Sequence, residues 1–255
     1  MNTMKTKQLK SKLTYSLISR PTLEAFEIHQ MFHLMEANYD HVSQEQFIED
    51  LEKKQWVGLL RDEEGVIQGF TTFVINPGGT GTSAYNIIFL GDTIISPAYW
   101  GSFELIKGGM RTGGQMVASE PHKKWYWLLI SKGHRTYMYL PLFFKDYYPR
   151  SDENHSDPLY SILDDSCKTL FGDSWKKEKG LVIFPKSMGQ LKPELAAATW
   201  QKKRKPQVAF FLKKNPGFHL GHELACLTEA SPDNLRGFAH RYFMGGMRQP
   251  LMLGK

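Results

Sequence analysis

The sequence predicts a mixed α/β (α+β) fold, a single sheet with helices on both faces. Three observations lead there. The apolar period alternates along the chain between the ~3.6 residues of a helix and the ~2 of a strand. Helical and strand-like runs are interleaved rather than segregated into halves. Apolar residues make up 41% of the 255, enough for a large core, and charged ones 23%.

The elements follow in order. Residues 1–12 are basic and polar and read as a disordered arm. Residues 13–18 form a first strand. A helix is expected from about Pro21 to Glu36, where Ala25, Ile28, Phe32 and Met35 share a face. Ser43 opens a second helix; Gln46 stands three residues on in a capping-box pattern, and Phe47, Ile48 and Leu51 supply the buried side. Residues 55–60 and 66–75 flank the turn Asp62-Glu63-Glu64-Gly65 and read as a hairpin. After a glycine-rich loop at 77–82, residues 85–96 make a fourth strand that Pro97 ends. A helix over 103–116 is weakened by four glycines, and 124–131 is a fifth, aromatic-rich strand. Residues 134–148 read as a helix interrupted by Pro141.

Residues 150–205 look like a helical insertion, with helices starting near Asp157-Pro158 and Pro193 and a short strand at 181–184. Residues 206–213 and 218–228 flank Lys214-Asn215-Pro216-Gly217 and read as a final hairpin. Ser231-Pro232 opens a C-terminal helix over 231–244. The organisation expected is one domain over 13–255.

Composition excludes several function classes. No apolar run reaches ~18 residues, so no transmembrane helix is expected. The N-terminus lacks the apolar core of a secretory signal. Cys167 and Cys226 are too few for a disulfide framework, which fits a reducing, cytoplasmic setting. The net charge of +6 is mild: it suits an anionic ligand or an acidic partner and does not by itself indicate nucleic acid. No G-x-S-x-G, phosphate-loop lysine or dinucleotide fingerprint occurs. His29 and His33, and His219, His222 and Glu223, lack zinc-site order, so no metal is expected.

The segment Thr93-Ile94-Ile95-Ser96-Pro97-Ala98-Tyr99-Trp100-Gly101-Ser102 carries a resemblance. With the element order, it resembles the GNAT superfamily of acyl-CoA-dependent N-acyltransferases over roughly residues 13–148 and 206–228. Ile95, Pro97, Tyr99 and Gly101 match the family's turn; Trp100 stands where Arg or Gln is usual, and Phe103 and Leu105 replace later glycines. The resemblance implies a mixed, mostly antiparallel sheet whose fourth and fifth strands splay to admit pantetheine.

It also implies an acyl-CoA co-substrate. Ile94 and Ile95 would run beside the pantetheine, and the turn at Trp100, Gly101 and Ser102 would meet the pyrophosphate, with Phe103 narrowing that approach. An acyl carrier protein is the alternative donor. By the same resemblance Asp92 is the candidate base for the amine and Tyr139 the candidate acid for the leaving thiolate, with Tyr137 competing for that role. Each has a structural alternative, a bulge carboxylate for Asp92 and a packed aromatic for Tyr139.

The expected activity is acyl transfer to a small-molecule or peptide amine. The second reading is a GNAT-like scaffold without activity, acting as a binding or regulatory protein; a basic RNA-binding module is a third. A homodimer through an edge strand is compatible with either of the first two. The run Lys202-Lys203-Arg204-Lys205 reads as a solvated linker or an anion contact.

Overall fold

The structure is a computed structural model that describes residues 12–152 and 157–251. Apart from Lys12, the expected N-terminal arm lies outside the described residues.

Strand β1 (Thr14–Ser19) leads through a short turn to α1 (Ala25–Asn38). The capping box expected at Ser43 occurs instead on α1, between Glu24 and Glu27. β2 (Tyr39–Asp40) precedes α2 (Gln44–Glu52), where Ser43 Oγ accepts from the Gln46 N–H and caps the helix by itself. β3 (Trp56–Arg61) and β4 (Ile67–Gly78) form the expected hairpin. β5 (Tyr85–Ile95) runs into α3 (Glu104–Ser119), and β6 (Lys124–Ser131) follows.

The region after β6 is more broken than its pattern suggests. α4 (His134–Tyr137) and α5 (Tyr139–Phe143) are short, and the chain is irregular by Phe144. Backbone bridges from Phe144 to Leu235 and from Tyr148 to Leu227 then take over the hydrogen bonding that a longer helix would have used.

α6 (Asp157–Phe171) follows, with β7 (Trp175–Lys176), β8 (Leu181–Val182), β9 (Gln190–Leu191) and α7 (Pro193–Gln201). Residues 150–205 are therefore not a purely helical insertion: β7 and β8 extend the main sheet. Residues 206–213 are not a strand. They form α8 (Pro206–Lys214), with proline in the first turn, Lys213 and Lys214 in the last, and Val208, Phe211 and Leu212 buried at helical spacing. β10 (Glu223–Glu229) consequently has no hairpin partner; it lies between β6 and β8. The last helix, α9 (Gly237–Met247), starts later than expected, because Pro232–Asn234 form a separate 3₁₀ turn.

The main sheet has the order β1-β3-β4-β5-β6-β10-β8-β7, and only β5 and β6 pair in parallel. Side chains alternate across it. Val57, Leu59, Phe70 and Ile94 pack under α1 and α2. Ile87, Phe89, Tyr126 and Leu128 on the same face pack under α6. Phe73, Ile88, Trp127 and Leu129 face the other way, toward α3, α5, α8 and α9. Each such fully buried side chain contributes ~1.5–3 kcal/mol of transfer free energy.

The glycines of α3 have a packing role. Gly114 lies against the backbone of Phe243 in α9, and Gly246 of α9 lies against the backbone of Arg111 in α3. The two helices cross at near-backbone contact, and this seats the middle of α3 on α9.

Candidate functional site

β5 pairs with β4 along its length, but the register slips by one between Thr71↔Thr93 and Phe73↔Leu90. Gly91 and Asp92 together oppose Thr72, which is a β-bulge. On its other side β5 pairs with β6 only from Tyr85↔Lys124 to Leu90↔Leu129. β5 continues to Ile95 and β6 to Ser131 without further pairing to each other, each still paired to its outer neighbour. The parallel pair parts just where the bulge begins, and a cleft of about 940 Å³ opens there. Strand, two helices, three antiparallel strands, helix and a parallel strand that splays from its neighbour make up the expected topology. The fold is GNAT-like.

The cleft brings the residues singled out from the sequence onto one surface. Asp92, Ile94, Ile95, Trp100, Gly101, Ser102 and Tyr139 all line it. Gly101 has φ +95°, a conformation that a side chain would strain. Trp100 Nε1 donates to the Ile95 carbonyl at 3.0 Å, so one free acceptor of β5 is already used. The Arg135 guanidinium stacks on the Trp100 ring at 3.7 Å. Desolvation lowers the Arg135 pKa, opposed by Tyr139. Phe103 packs edge-on against Phe238 of α9, with centroids 5.3 Å apart. That contact holds the ring toward α9.

Of the two tyrosines, Tyr137 is fully buried and its hydroxyl donates to the Pro149 carbonyl at 3.1 Å. It is a packing residue. Tyr139 is half-buried at the start of α5, packs on Phe143, and has its phenol pKa raised by burial.

Sequence reasoning missed the company Asp92 keeps. Lys54, just past α2, is buried and pairs with Asp50 at 2.7 Å. Lys132, just past β6, pairs with Glu223 at 3.4 Å and donates to the Met188 carbonyl at 2.6 Å. Tyr39 lies 5.3 Å from the same ammonium. All of these line the cleft with Asp92. Burial raises the carboxyl pKa of Asp92, and Lys54 and Lys132 oppose that rise. Burial likewise raises Glu223, opposed by Lys132. The Thr72 hydroxyl across from the bulge is buried without a hydrogen-bond partner. Glu223 drew attention in the sequence only beside His219 and His222; in the fold it belongs to the carboxylate group. Positions 50, 54, 92, 132 and 223 carry no common spacing, so no sequence signal joins them.

Among the described residues no set of three or more His, Cys, Asp and Glu converges as a metal site, and no helix is long and apolar enough to cross a membrane.

No protein-family model and no curated protein matches this chain. Solved structures are similar to part of this chain. One is a probable N-acyltransferase from Enterococcus faecalis V583, 14% identical over 52% of this chain, with a TM-score of 0.39. This chain spans only 33% of that protein. Another is a GNAT-family N-acetyltransferase from Escherichia coli in complex with CoA, 12% identical over 53% of this chain and 69% of its own, with a TM-score of 0.36. A third is glucosamine-6-phosphate N-acetyltransferase from Arabidopsis thaliana, 12% identical over 49% of this chain and 88% of its own, with a TM-score of 0.35.

Proposed function

We propose that this chain is an N-acyltransferase. The acyl donor is a pantetheine thioester, either acyl-CoA or an acyl carrier protein, and the acceptor is an amine. The observation that carries this reading is the parting of β5 and β6 above Leu90 and Leu129. It leaves strand backbone free and joins the Trp100–Ser102 turn to the Asp92 carboxylate in one cleft.

The residues divide the work as follows. Donor phosphates lie toward the Gly101 backbone and Arg135, since the Ser102 N–H already donates to the Tyr99 carbonyl at 3.0 Å. Pantetheine amides pair with the free edge of β5 at Ile94 and Ile95. Asp92 accepts the amine proton, directly or through water; its burial raises its basicity toward that of an amine acceptor. The amine nitrogen then bonds the thioester carbonyl carbon, and β5 N–H groups take up the developing oxyanion charge. The C–S bond breaks, and the Tyr139 hydroxyl gives its proton to the departing thiolate. Its raised pKa keeps that proton in place until it is needed.

Calorimetric titration with acetyl-CoA tests the donor half of this reading. Steady-state turnover of Asp92→Asn and Tyr139→Phe tests the chemistry. Each variant should lose ~10²-fold or more in turnover with donor affinity retained; unchanged turnover would remove that residue from the mechanism.

One observation favours a non-catalytic scaffold instead. Trp100 already occupies the Ile95 carbonyl, and its ring carries Arg135 across the turn. Absence of binding to any pantetheine thioester, together with a protein partner in pull-downs, would favour that second reading.

A further inference from the structure

Beyond the carboxylates the cleft continues as an apolar chamber. Phe89, Phe171 and Phe184 form an edge-to-face ladder, with centroids 5.5 and 6.1 Å apart. Leu170, Ile130 and Met188 complete its wall. Phe171, Phe184, Leu170 and Ile130 are only half-buried although their neighbours are apolar. They border open space rather than fill it.

The outer wall of this chamber is the segment 183–192, and it is fastened along its length. The Ile183 N–H donates to Ser174 at 2.8 Å. β9 pairs with β2, and the Lys192 N–H donates to Asn38 at 3.2 Å. Between those points the Met188 carbonyl accepts from Lys132, and its sulfur accepts from Gln46. A polypeptide acceptor laid along the carboxylates would have to displace this wall. A small molecule would not.

Charge narrows the choice further. Lys54 pairs with Asp50 and Lys132 with Glu223, and Asp92 makes no ion pair among the described residues, although Lys53, Arg135 and Lys202 also line the cleft. With Asp50, Asp92, Glu223, Lys54 and Lys132 all ionised the cluster has one negative charge in excess, which suits a cation. The chamber and the cluster meet at Lys54, whose ammonium stands 5.6 Å from the Phe89 ring and 2.7 Å from Asp50.

We propose that the chamber holds the body of a small arylalkyl or similarly apolar primary amine, with its amino group toward Asp50 and Asp92. This inference rests on the acyltransferase reading for the fate of that amine. It names the acceptor class and assigns specificity to residues 170–188, which lie outside the family-like part of the chain.

The test is calorimetric titration of the full-length chain with 2-phenylethylamine, n-propylamine and a lysine-containing peptide, with and without CoA. The aryl amine should bind about tenfold or more tightly than propylamine, because the ladder buries its ring, and the peptide should give no saturable binding. Leu170→Trp, which fills the chamber, should weaken the aryl amine about tenfold and leave CoA affinity unchanged. Equal affinity for the two small amines, or saturable peptide binding, would overturn the proposal. If Leu170→Trp instead shortens the longest acyl-CoA tail accepted, with amine affinity intact, the chamber belongs to the acyl chain. The wild-type amine series needs no variant, so a misfolded Leu170→Trp leaves the test standing. Aryl-amine binding without any acetyl-CoA binding would sink the acyl-transfer reading and keep the chamber's ligand.

Discussion

The crossing of α3 and α9 permits a paired prediction of opposite sign. A methyl group added at Gly114 would lie against the Phe243 carbonyl group, 2.9 Å from its carbon and 3.0 Å from the Met247 nitrogen. These are backbone atoms, so no rotamer change can yield; the helices must separate. Overpacking of that kind costs ~1–3 kcal/mol, against ~0.5–1 kcal/mol returned by replacing a helical glycine with alanine. Gly114→Ala should therefore lose ~1–2 kcal/mol and lower Tm by ~2–8 °C for a chain of this size. Gly109 occupies the same helix with no atom within 4 Å of an added Cβ. Gly109→Ala should keep the propensity gain alone and raise Tm by ~1–4 °C. Thermal melts followed by circular dichroism read both. Gly114→Ala melting at or above the parent temperature would refute the close-crossing argument, and so would Gly109→Ala melting several degrees lower. Because α3 begins beside the Trp100–Phe103 turn, Gly114→Ala should also weaken acetyl-CoA binding, whereas Gly109→Ala should not.

Three further outcomes are expected. If Arg135 faces the donor phosphates as proposed, Arg135→Ala should weaken acetyl-CoA about tenfold and flatten the salt dependence of its binding; unchanged affinity at every salt concentration would place the phosphates elsewhere. His134, the first residue of α4, is buried, and desolvation first, then Lys202, Arg135 and Lys205, lowers its pKa to about 4. The folded state therefore holds fewer protons than the unfolded state between pH ~6.5 and ~4, so stability should be full above that window and fall through it on acidification. Denaturant midpoints of the parent and of His134→Gln should diverge across that range, and parallel curves would count against a buried neutral imidazole. Glu223→Gln leaves Lys132 without its carboxylate. It should shift the acidic limb of the pH–rate profile, whereas an identical profile would detach Glu223 from the ionisation of Asp92.

Much of the half built from local sequence was legible. The strand-turn-helix at 85–119 could be read because Pro97 ends one period and Gly101 opens the next, and the Ser43 cap because its hydroxyl acts within three residues. The run Pro206–Lys214 was misread because a short apolar stretch fits either period, and the turn sequence after it suggested a hairpin. What decides it is tertiary: Val208, Phe211 and Leu212 meet the core only as a helix. The sheet position beside β10 was also hidden, since two residues from a distant segment, Leu181 and Val182, supply it. Asp92 is singled out by its place before the turn. Its partners Lys54, Lys132 and Glu223 are not, because each sits at the end of a different element and only sheet order brings those ends together.

The fastening of residues 183–192 to residues 38–46 also sets a timetable. The turn, α3 and the strand parallel to β5 come from one continuous stretch and need only local loop closures. The wall at 183–192 needs segments nearly a hundred and fifty residues apart, and α3 packs against α9. Long-range contacts of this kind form late. During synthesis the parting of β5 and β6 can form before residues 183–192 are fastened, and α9 packs onto α3 last among the described elements.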